Sequence, residues 1–168
     1  MTKVELGGGD KPLSGFINCD IRKLPTVDKV IDFNQKLPFD DNSVTEVYSS
    51  HCLEHIKNVV ALIRDIVRIC KVGSKVTIIV PHFGQDMAMC PGHIHVISEQ
   101  MMGHMEEFQE VWWENSNKKL TIKTVNYAPS KWFNRAKQLF PGLSDEEIFR
   151  YIQNTCHEVK FTFRVTER

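Results

Sequence analysis

Short runs rich in Val and Ile divide the first half of the chain, and they constrain the fold more than any other feature. Runs of this length and composition are typical of strands buried on both faces of a parallel sheet. Five of them occur, at residues 3–6, 15–21, 29–33, 44–50 and 75–80. We therefore predict an open α/β sheet whose first strands are parallel.

The clearest helix is predicted between the fourth and fifth strands. Apolar residues recur at helical spacing over residues 57–71. Gly73 is placed to end this helix in a left-handed cap. Strand, helix and strand together predict a βαβ unit.

The pattern changes after Pro81. A long loop is predicted over residues 82–96, and Ser98 and Ser144 are predicted to cap two later helices. A sixth strand is predicted over residues 120–127. Residues 159–165 alternate between apolar and polar, which predicts an antiparallel edge strand. We predict one domain covering residues 1–168.

Composition and charge narrow the class of protein. The chain has 21 basic and 21 acidic residues, so its net charge gives no general attraction to nucleic acid. It has no apolar run of about 18 residues, so we expect no membrane span. Its five cysteines include no Cys-x-x-Cys pair, which favours a reducing, cytoplasmic location. A basic stretch, interpreted as a solvated face, comprises Lys118, Lys119, Lys123, Lys131, Arg135 and Lys137.

Glycines and acids stand where the predicted strands end. Ligands of open α/β sheets bind at the carboxyl ends of the strands. The residues at those ends are Gly7, Gly8, Gly9, Asp20, Ile21, Asp32, Phe33, Ser49, Ser50 and His51. An acid such as Asp20 can accept both hydroxyls of a ribose. Asp32 can accept an adenine amino group, and Phe33 can form an apolar wall. Together they predict an adenosine site.

The connection after the first strand selects the cofactor. A dinucleotide site needs Gly-x-Gly-x-x-Gly before a helix, but Pro12 occupies the third glycine position. Residues 10–14 are also too few for a crossover helix, whose N-terminus would bind a pyrophosphate. No Gly-Lys-Ser/Thr follows, which excludes a P-loop. Glu5 suits a cationic ligand, so a phosphate-free sulfonium cofactor, S-adenosylmethionine, is predicted.

Residues 4–9 (VELGGG) resemble the first motif of class I S-adenosylmethionine-dependent methyltransferases, and residues 16–21 resemble their second-strand motif. Residues 37–44 and 48–56 are similar to the "LPF-D-S … S-H-x-L-E-H" signature of small, minimal members. The resemblance implies a three-layer, Rossmann-like sheet that is mostly parallel with an antiparallel last strand. The chain is expected to depart from the family in its reduced N-terminal and first-crossover helices, and it departs from the family at Lys11, where a third glycine is usual.

The resemblance also implies roles for individual residues. Glu5, Gly7 and Gly9 would line the methionine part of the cofactor, and Asp20 would hold the ribose. Asp32 and Phe33 would frame the adenine, while Ser50 and His51 would cover the sulfonium side. The cofactor-binding residues expected are Glu5, Gly7, Gly8, Gly9, Asp20, Ile21, Asp32, Phe33, Ser50 and His51.

Histidines are concentrated where the methyl acceptor would bind. If the acceptor is a hydroxyl, a general base assists transfer, and we predict His82 or His51 for this role. Cys90, His93 and His95 lack the tightly paired spacing of metal ligands, so no metal is predicted. The three tryptophans, predicted to be core anchors that could alternatively stack on a substrate, are Trp112, Trp113 and Trp132.

The predicted function is methyl transfer from S-adenosylmethionine to an unidentified acceptor: a sugar or glycan, a small molecule or a protein. A site with few lid elements suits a large acceptor or closure by a second subunit, so a homodimer is expected. One alternative is a module that binds S-adenosylmethionine without catalysis. Another is an RNA or DNA methyltransferase that uses the basic stretch, but we do not expect a nucleic-acid partner.

Overall fold

A single seven-stranded sheet organises the computed structural model, which describes residues 1–107 and 116–168. Its spatial order is β3-β2-β1-β4-β5-β7-β6. The strands are β1 Thr2–Leu6, β2 Ile17–Asp20, β3 Lys29–Val30, β4 Val44–Ser50, β5 Cys70–Pro81, β6 Lys118–Pro129 and β7 Cys156–Glu167. The predicted alternation of strands therefore folds into one sheet with the N-terminal strands on one side and the C-terminal strands on the other.

The direction of the strands divides the sheet. β1 to β5 pair in parallel, whereas β7 runs antiparallel to both β5 and β6. The prediction of a mostly parallel sheet with an antiparallel last strand is confirmed. The prediction that the last strand lies at an edge is wrong, because β7 inserts between β5 and β6. The alternation of apolar and polar residues in β7 therefore accompanies antiparallel pairing with both of its neighbours, β5 and β6.

The described helices are short, and two of the four α-helices have the caps that the sequence predicts. They are α1 Val59–Ile69, α2 Glu99–Glu107, α3 Phe133–Leu139 and α4 Asp145–Tyr151, with 3-10 helices at Leu53–His55 and Asp86–Met89. Ser98 accepts a hydrogen bond from the Met101 amide, and Ser144 forms a capping box with Glu147. Within the described segments, no helix is long and apolar enough to cross a membrane.

The end of α1 differs from the prediction. The helix stops at Ile69 and β5 begins at the next residue, so Gly73 lies inside β5 despite its positive φ of 86°. The last carbonyls of α1 are instead satisfied by a distant lysine. Lys118 Nζ donates to the carbonyls of Arg68 and Cys70 at 3.0 and 2.7 Å. A cation at a helix C-terminus also complements the helix dipole.

The loops at the carboxyl ends of the parallel strands are short and contain no α-helix before residue 59. β1, β4 and β5 are held at the centre of the sheet by buried aliphatic side chains such as Val4, Val47 and Ile78. No helix covers the connection from Gly7 to Phe16, as predicted. The carboxyl ends of β1, β2 and β4 therefore lie beside one another at one edge of the sheet, and no helix covers them before residue 59.

Candidate active site

A cavity of about 380 Å³ lies at the carboxyl ends of β1, β2 and β4. Six of the ten predicted cofactor residues line it: Gly7, Asp20, Ile21, Asp32, Phe33 and His51. The sequence reasoning missed its other lining residues, Arg22, Asn34, Cys52, His55 and Ile56. Four of these five stand within three residues of a predicted strand end or inside the "S-H-x-L-E-H" segment, so a wider reading of the same motifs would have found them.

The glycine loop is fitted closely to the residues beneath it. Gly7 has φ +80°, and a Cβ there would lie 2.9 Å from Cβ of Cys52. A Cβ on Gly8 would lie 2.5 Å from Oδ1 of Asn18. Both positions therefore require glycine for lack of space, and Gly7 requires it for backbone conformation as well.

Glu5 lies below this loop rather than in the cavity wall. Its side chain is buried, and Oε2 accepts a 2.6 Å hydrogen bond from the Leu13 amide. Burial raises the pKa of Glu5 above its ordinary value, against the effect of that hydrogen bond. Gly8 and Gly9 are likewise absent from the wall. In this structure these three residues shape the loop that carries Gly7.

Asp20, the last residue of β2, has every side-chain lone pair directed to a partner close in sequence. Oδ2 accepts from the Gly9 amide at 3.0 Å, and Oδ1 accepts from the Arg22 amide at 2.8 Å. The Arg22 guanidinium adds bonds of 3.1 and 3.2 Å. Burial pushes the pKa of Asp20 upward, but the hydrogen bonds and charge of Arg22 outweigh it, and the pKa is lowered. Asp20 is therefore a buried, ionised acceptor at the cavity wall.

The wall of the cavity that contains Asp32 and Phe33, the residues expected to frame an adenine, is shaped by a turn after β3. Oδ1 of exposed Asp32 accepts from the Asn34 amide and from its side-chain Nδ2, both at 2.9 Å, and these bonds lower the pKa of Asp32. Asn34 Oδ1 in turn accepts from the Lys57 amide at 2.9 Å. Phe33, which lies between Asp32 and Asn34 in the sequence, is buried. The predicted pair, one acid and one aromatic, is thus brought to one wall.

His51 is held between two carboxylates. Its backbone has φ +50°, which is uncommon for a residue with a side chain. Nδ1 lies 3.5 Å from Oε1 of Glu54, and Nε2 lies 3.0 Å from Oε2 of Glu158. Glu54 and then Glu158 raise the pKa of His51 to about 9, against the effect of burial. His51 therefore carries a proton at neutral pH, which disfavours it as a base. Ser50 does not line the cavity.

His82 has the opposite environment at the end of β5. It is 1% exposed, and Nδ1 accepts from the Gly84 amide at 3.1 Å. Among the described residues, nothing hydrogen-bonds to its buried Nε2; Glu99 Oε1 is 4.0 Å away. Burial lowers the pKa of His82, so the ring is neutral at pH 7. His82 does not line the cavity described above.

The basic stretch does not form one solvated face. Lys118 is 7% exposed and caps α1, whereas Lys137 pairs with Asp145 at 2.7 Å. Lys118 also borders a larger cavity of about 510 Å³. Phe33 is the only predicted cofactor residue that lines this larger cavity. The larger cavity therefore lacks the glycines and acids that were predicted to bind the cofactor at the strand ends.

The tryptophan prediction can be followed at one position. Trp112 and Trp113 lie outside the described residues. Trp132, which precedes α3, is 54% exposed, and Lys131 Nζ lies 5.4 Å from the centre of its ring. Trp132 is therefore not the core anchor that was predicted.

Comparison with known proteins gives a family match over the segment that forms the cavity. Residues 5–78 match the profile of the family described as "Methyltransferase domain". A search of curated protein sequences finds no match. Three solved structures share the fold over nearly the whole chain.

The YcgJ protein of Bacillus subtilis has a TM-score of 0.64 at 13% identity, with 99% of this chain and 92% of that chain covered. An S-adenosylmethionine-dependent methyltransferase from Archaeoglobus fulgidus has 0.64 at 14%, with 97% and 85% covered. Geranyl diphosphate C-methyltransferase from Streptomyces coelicolor A3(2), solved with Mg²⁺, geranyl diphosphate and S-adenosyl-L-homocysteine, has 0.56 at 15%, with 97% and 72% covered. At these identities the likeness concerns the fold.

Proposed function

We propose, from the premise that this chain belongs to the class I methyltransferases, that it binds S-adenosylmethionine and transfers the methyl group to an acceptor hydroxyl. The observation that carries the proposal is the cavity at the strand ends, with Asp20 in its wall. The family match over residues 5–78 covers every predicted cofactor residue. The relative solved with S-adenosyl-L-homocysteine supports the same cofactor class.

The loop after β1 favours this cofactor over a dinucleotide. Residues 7–16 form no helix, so no helix N-terminus points at the site to bind a pyrophosphate. The amide of Gly9 is also already engaged by Asp20.

Asp20 is the residue proposed to bind the ribose hydroxyls. Its carboxylate is ionised and is held in place by the Gly9 amide. Arg22 occupies the outer lone pairs in this structure, and its side chain is 61% exposed. A ribose would replace the guanidinium, which can move into solvent. Asp32 and Phe33 are proposed to contact the adenine.

His82 is proposed as the base, in preference to His51. Its lone pair is on Nδ1, which accepts from the Gly84 amide in this structure, so the acceptor hydroxyl would have to take the place of that amide to pass its proton to Nδ1. A general base must be unprotonated at working pH, and burial keeps His82 neutral while two carboxylates keep His51 protonated. Glu99 and Tyr127 face the His82 ring from α2 and β6. A neutral imidazole favours a hydroxyl acceptor on a sugar, a small molecule or a protein side chain.

Calorimetric titration of the purified chain tests the cofactor. S-adenosylmethionine and S-adenosylhomocysteine should both bind, whereas NAD and ATP should not, and Asp20→Asn should weaken binding of the first pair. Tight binding of NAD, or of neither sulfur compound, would contradict the proposal. Catalysis is then tested with methyl-labelled cofactor and hydroxyl acceptors including glycans, sugars and proteins. Binding without label transfer to any of them would identify a module that only binds the cofactor.

A further inference from the structure

Three metal-binding side chains converge where the 3-10 helix Leu53–His55 meets the loop that follows β5. One ligand atom each from Glu54, His55 and His93 lies within 4.8 Å of the other two. The rings of His55 and His93 meet edge to face, with centroids 4.7 Å apart. In a tetrahedral zinc site neighbouring ligand atoms are about 3.3 Å apart, given bonds of about 2.0 Å. Small side-chain rotations would therefore close this group around one ion.

Glu54 is the most unusual member of the group because its charge is buried. The side chain is 1% exposed, and within residues 1–107 and 116–168 no donor hydrogen-bonds to either carboxylate oxygen. The nearest charge is that of His51, whose Nδ1 is 3.5 Å from Oε1. A buried carboxylate without hydrogen bonds costs several kcal/mol unless a cation compensates it. His51 forms an ion pair with Oε1 at 3.5 Å, and Oε2 has no partner among the described residues.

The two histidines are held in the manner of metal ligands. His55 Nδ1 is 3.0 Å from the carbonyl oxygen of Gly92, and His93 Nδ1 is 3.4 Å from that of Ala88. A carbonyl only accepts, so these contacts place the ring proton on Nδ1 and leave the lone pair on Nε2. Metal-binding histidines almost always donate their second ring N–H in this way.

We propose that Glu54, His55 and His93 bind a divalent transition-metal ion, with Zn²⁺ as the best-suited ion. Two imidazoles and one carboxylate form a ligand set known from catalytic zinc sites, where the fourth position stays open. Imidazole ligands select Zn²⁺, Co²⁺ or Ni²⁺ over Mg²⁺ and Ca²⁺. Because His55 also lines the cofactor cavity, the bound ion would lie at the boundary of that cavity.

This site differs from the one weighed on sequence spacing. Cys90 and His95 are not members of the group, and His95 Nε2 instead lies 3.3 Å from the carbonyl oxygen of Lys57. Glu54 and His55 lie nearly forty positions before His93 in the sequence, so a search for closely spaced metal ligands does not find this group. The proposal does not depend on methyl transfer.

Metal titration of the chelator-treated chain, without S-adenosylmethionine, tests the proposal. We expect one Co²⁺ per chain to give visible ligand-field absorption, Zn²⁺ to displace it, and Zn²⁺ to raise the Tm. His55→Ala and His93→Ala should each weaken metal binding by at least about 100-fold. Loss of a residue that only hydrogen-bonds to a metal ligand typically weakens binding about 10- to 100-fold, and loss of the ligand itself should weaken it more. Glu54→Gln, which keeps the side-chain shape, should do the same.

His95→Ala is the matched control, since it removes a neighbouring histidine of the same loop and should leave the Kd unchanged. The Tm of each variant without metal shows whether it folds. Absent Co²⁺ absorption in the wild type, equal binding by His93→Ala, or equal affinity for Mg²⁺ would each overturn the proposal. Glu54 would then be compensated by His51 alone. Because no cofactor is present, these outcomes are independent of those that test methyl transfer.

Discussion

The proposed cofactor side of the site lies around Asp20, and the proposed acceptor side lies around His51, Glu54 and His82. The two sides are built from contacts that span very different distances along the sequence. Asp20 on the cofactor side bonds to Gly9 and Arg22, which are 11 and 2 residues away. On the acceptor side, His51 reaches Glu158 across 107 positions, and His55 reaches Gly92 across 37. The proposed cofactor side therefore depends on local loop chemistry, whereas the proposed acceptor side depends on contacts with the loop after β5 and with β7.

The two sides also differ in how their polar groups are satisfied. The carboxylates of Glu5 and Asp20 accept hydrogen bonds from backbone amides. Glu54 and Nε2 of His82, in contrast, are buried without hydrogen bonds from the described residues. Buried polar atoms without partners are rare and costly, so they mark places where a ligand or an ion completes the structure. Oδ1 of Asn18, beneath the glycine loop, also lacks a partner among the described residues, so the difference concerns the ionisable groups. Those of the proposed acceptor side are the ones that we expect a second component to complete.

The largest expected effect comes from crowding the cofactor loop. Gly8→Ala would place a methyl group 2.5 Å from Asn18 Oδ1 and 2.7 Å from Cδ of Glu5, both buried. We expect a loss of about 2–3 kcal/mol in the free energy of unfolding, as for other overpacked sites. Urea unfolding measures it, with Gly142→Ala as control because its Cβ would meet nothing within 4 Å. Equal stability of the two variants would show that the loop is not rigidly seated.

Removal of Asp20, the proposed ribose acceptor, should weaken binding and should also cost stability, because the Gly9 and Arg22 amides lose their acceptor. Asp20→Ala should weaken S-adenosylmethionine binding by about 1–3 kcal/mol, because a charged hydrogen-bond acceptor is lost. Calorimetry gives the affinity, and Asp145→Asn, at the exposed start of α4, controls for the loss of a carboxylate. An unchanged Kd in Asp20→Ala would contradict the proposal that Asp20 binds the ribose, and with it the proposed cofactor side.

The same contrast of range explains what the sequence could predict. The strands, the caps at Ser98 and Ser144 and the absence of a first crossover helix depend on residues within a few positions of one another, and they are confirmed. The six predicted residues in the cavity wall follow strand ends for the same reason. The position of β7 inside the sheet could not be predicted, because β5 and β6 can exchange neighbours without changing their own alternation.

The protonation states of the histidines could not be predicted from the sequence for a related reason. His51 and His82 have the same position in the sequence pattern, since each directly follows a strand. Their pKa values move in opposite directions because Glu54 and then Glu158 face the His51 ring, whereas the His82 ring is buried beside Tyr127. Lys118 likewise reads as part of a basic face until Asn42 and the end of α1 are seen to enclose it.

The pH dependence of stability tests the buried state of His82. Its folded pKa is lowered from about 6.5, so the unfolded chain binds a proton that the folded chain resists. Stability from this residue is present above pH 6.5 and is lost as the pH falls below it. His82→Asn, whose Oδ1 can still accept from Gly84, should flatten this loss by at most about 1.4 kcal/mol per pH unit. Urea midpoints from pH 8 to 5 measure it; parallel curves would show that His82 titrates normally.

The smallest expected effect concerns Arg22, the guanidinium that a ribose would replace. If it competes for Asp20, Arg22→Ala should tighten S-adenosylmethionine binding by about two- to fivefold, the range of an exposed ion pair. Lys23→Ala removes the same charge from the next, exposed residue and should leave the Kd unchanged. Weaker binding in Arg22→Ala would reverse the interpretation. Arg22 would then contact the cofactor itself, and the cofactor side would require a rearrangement of its own before it matched its ligand.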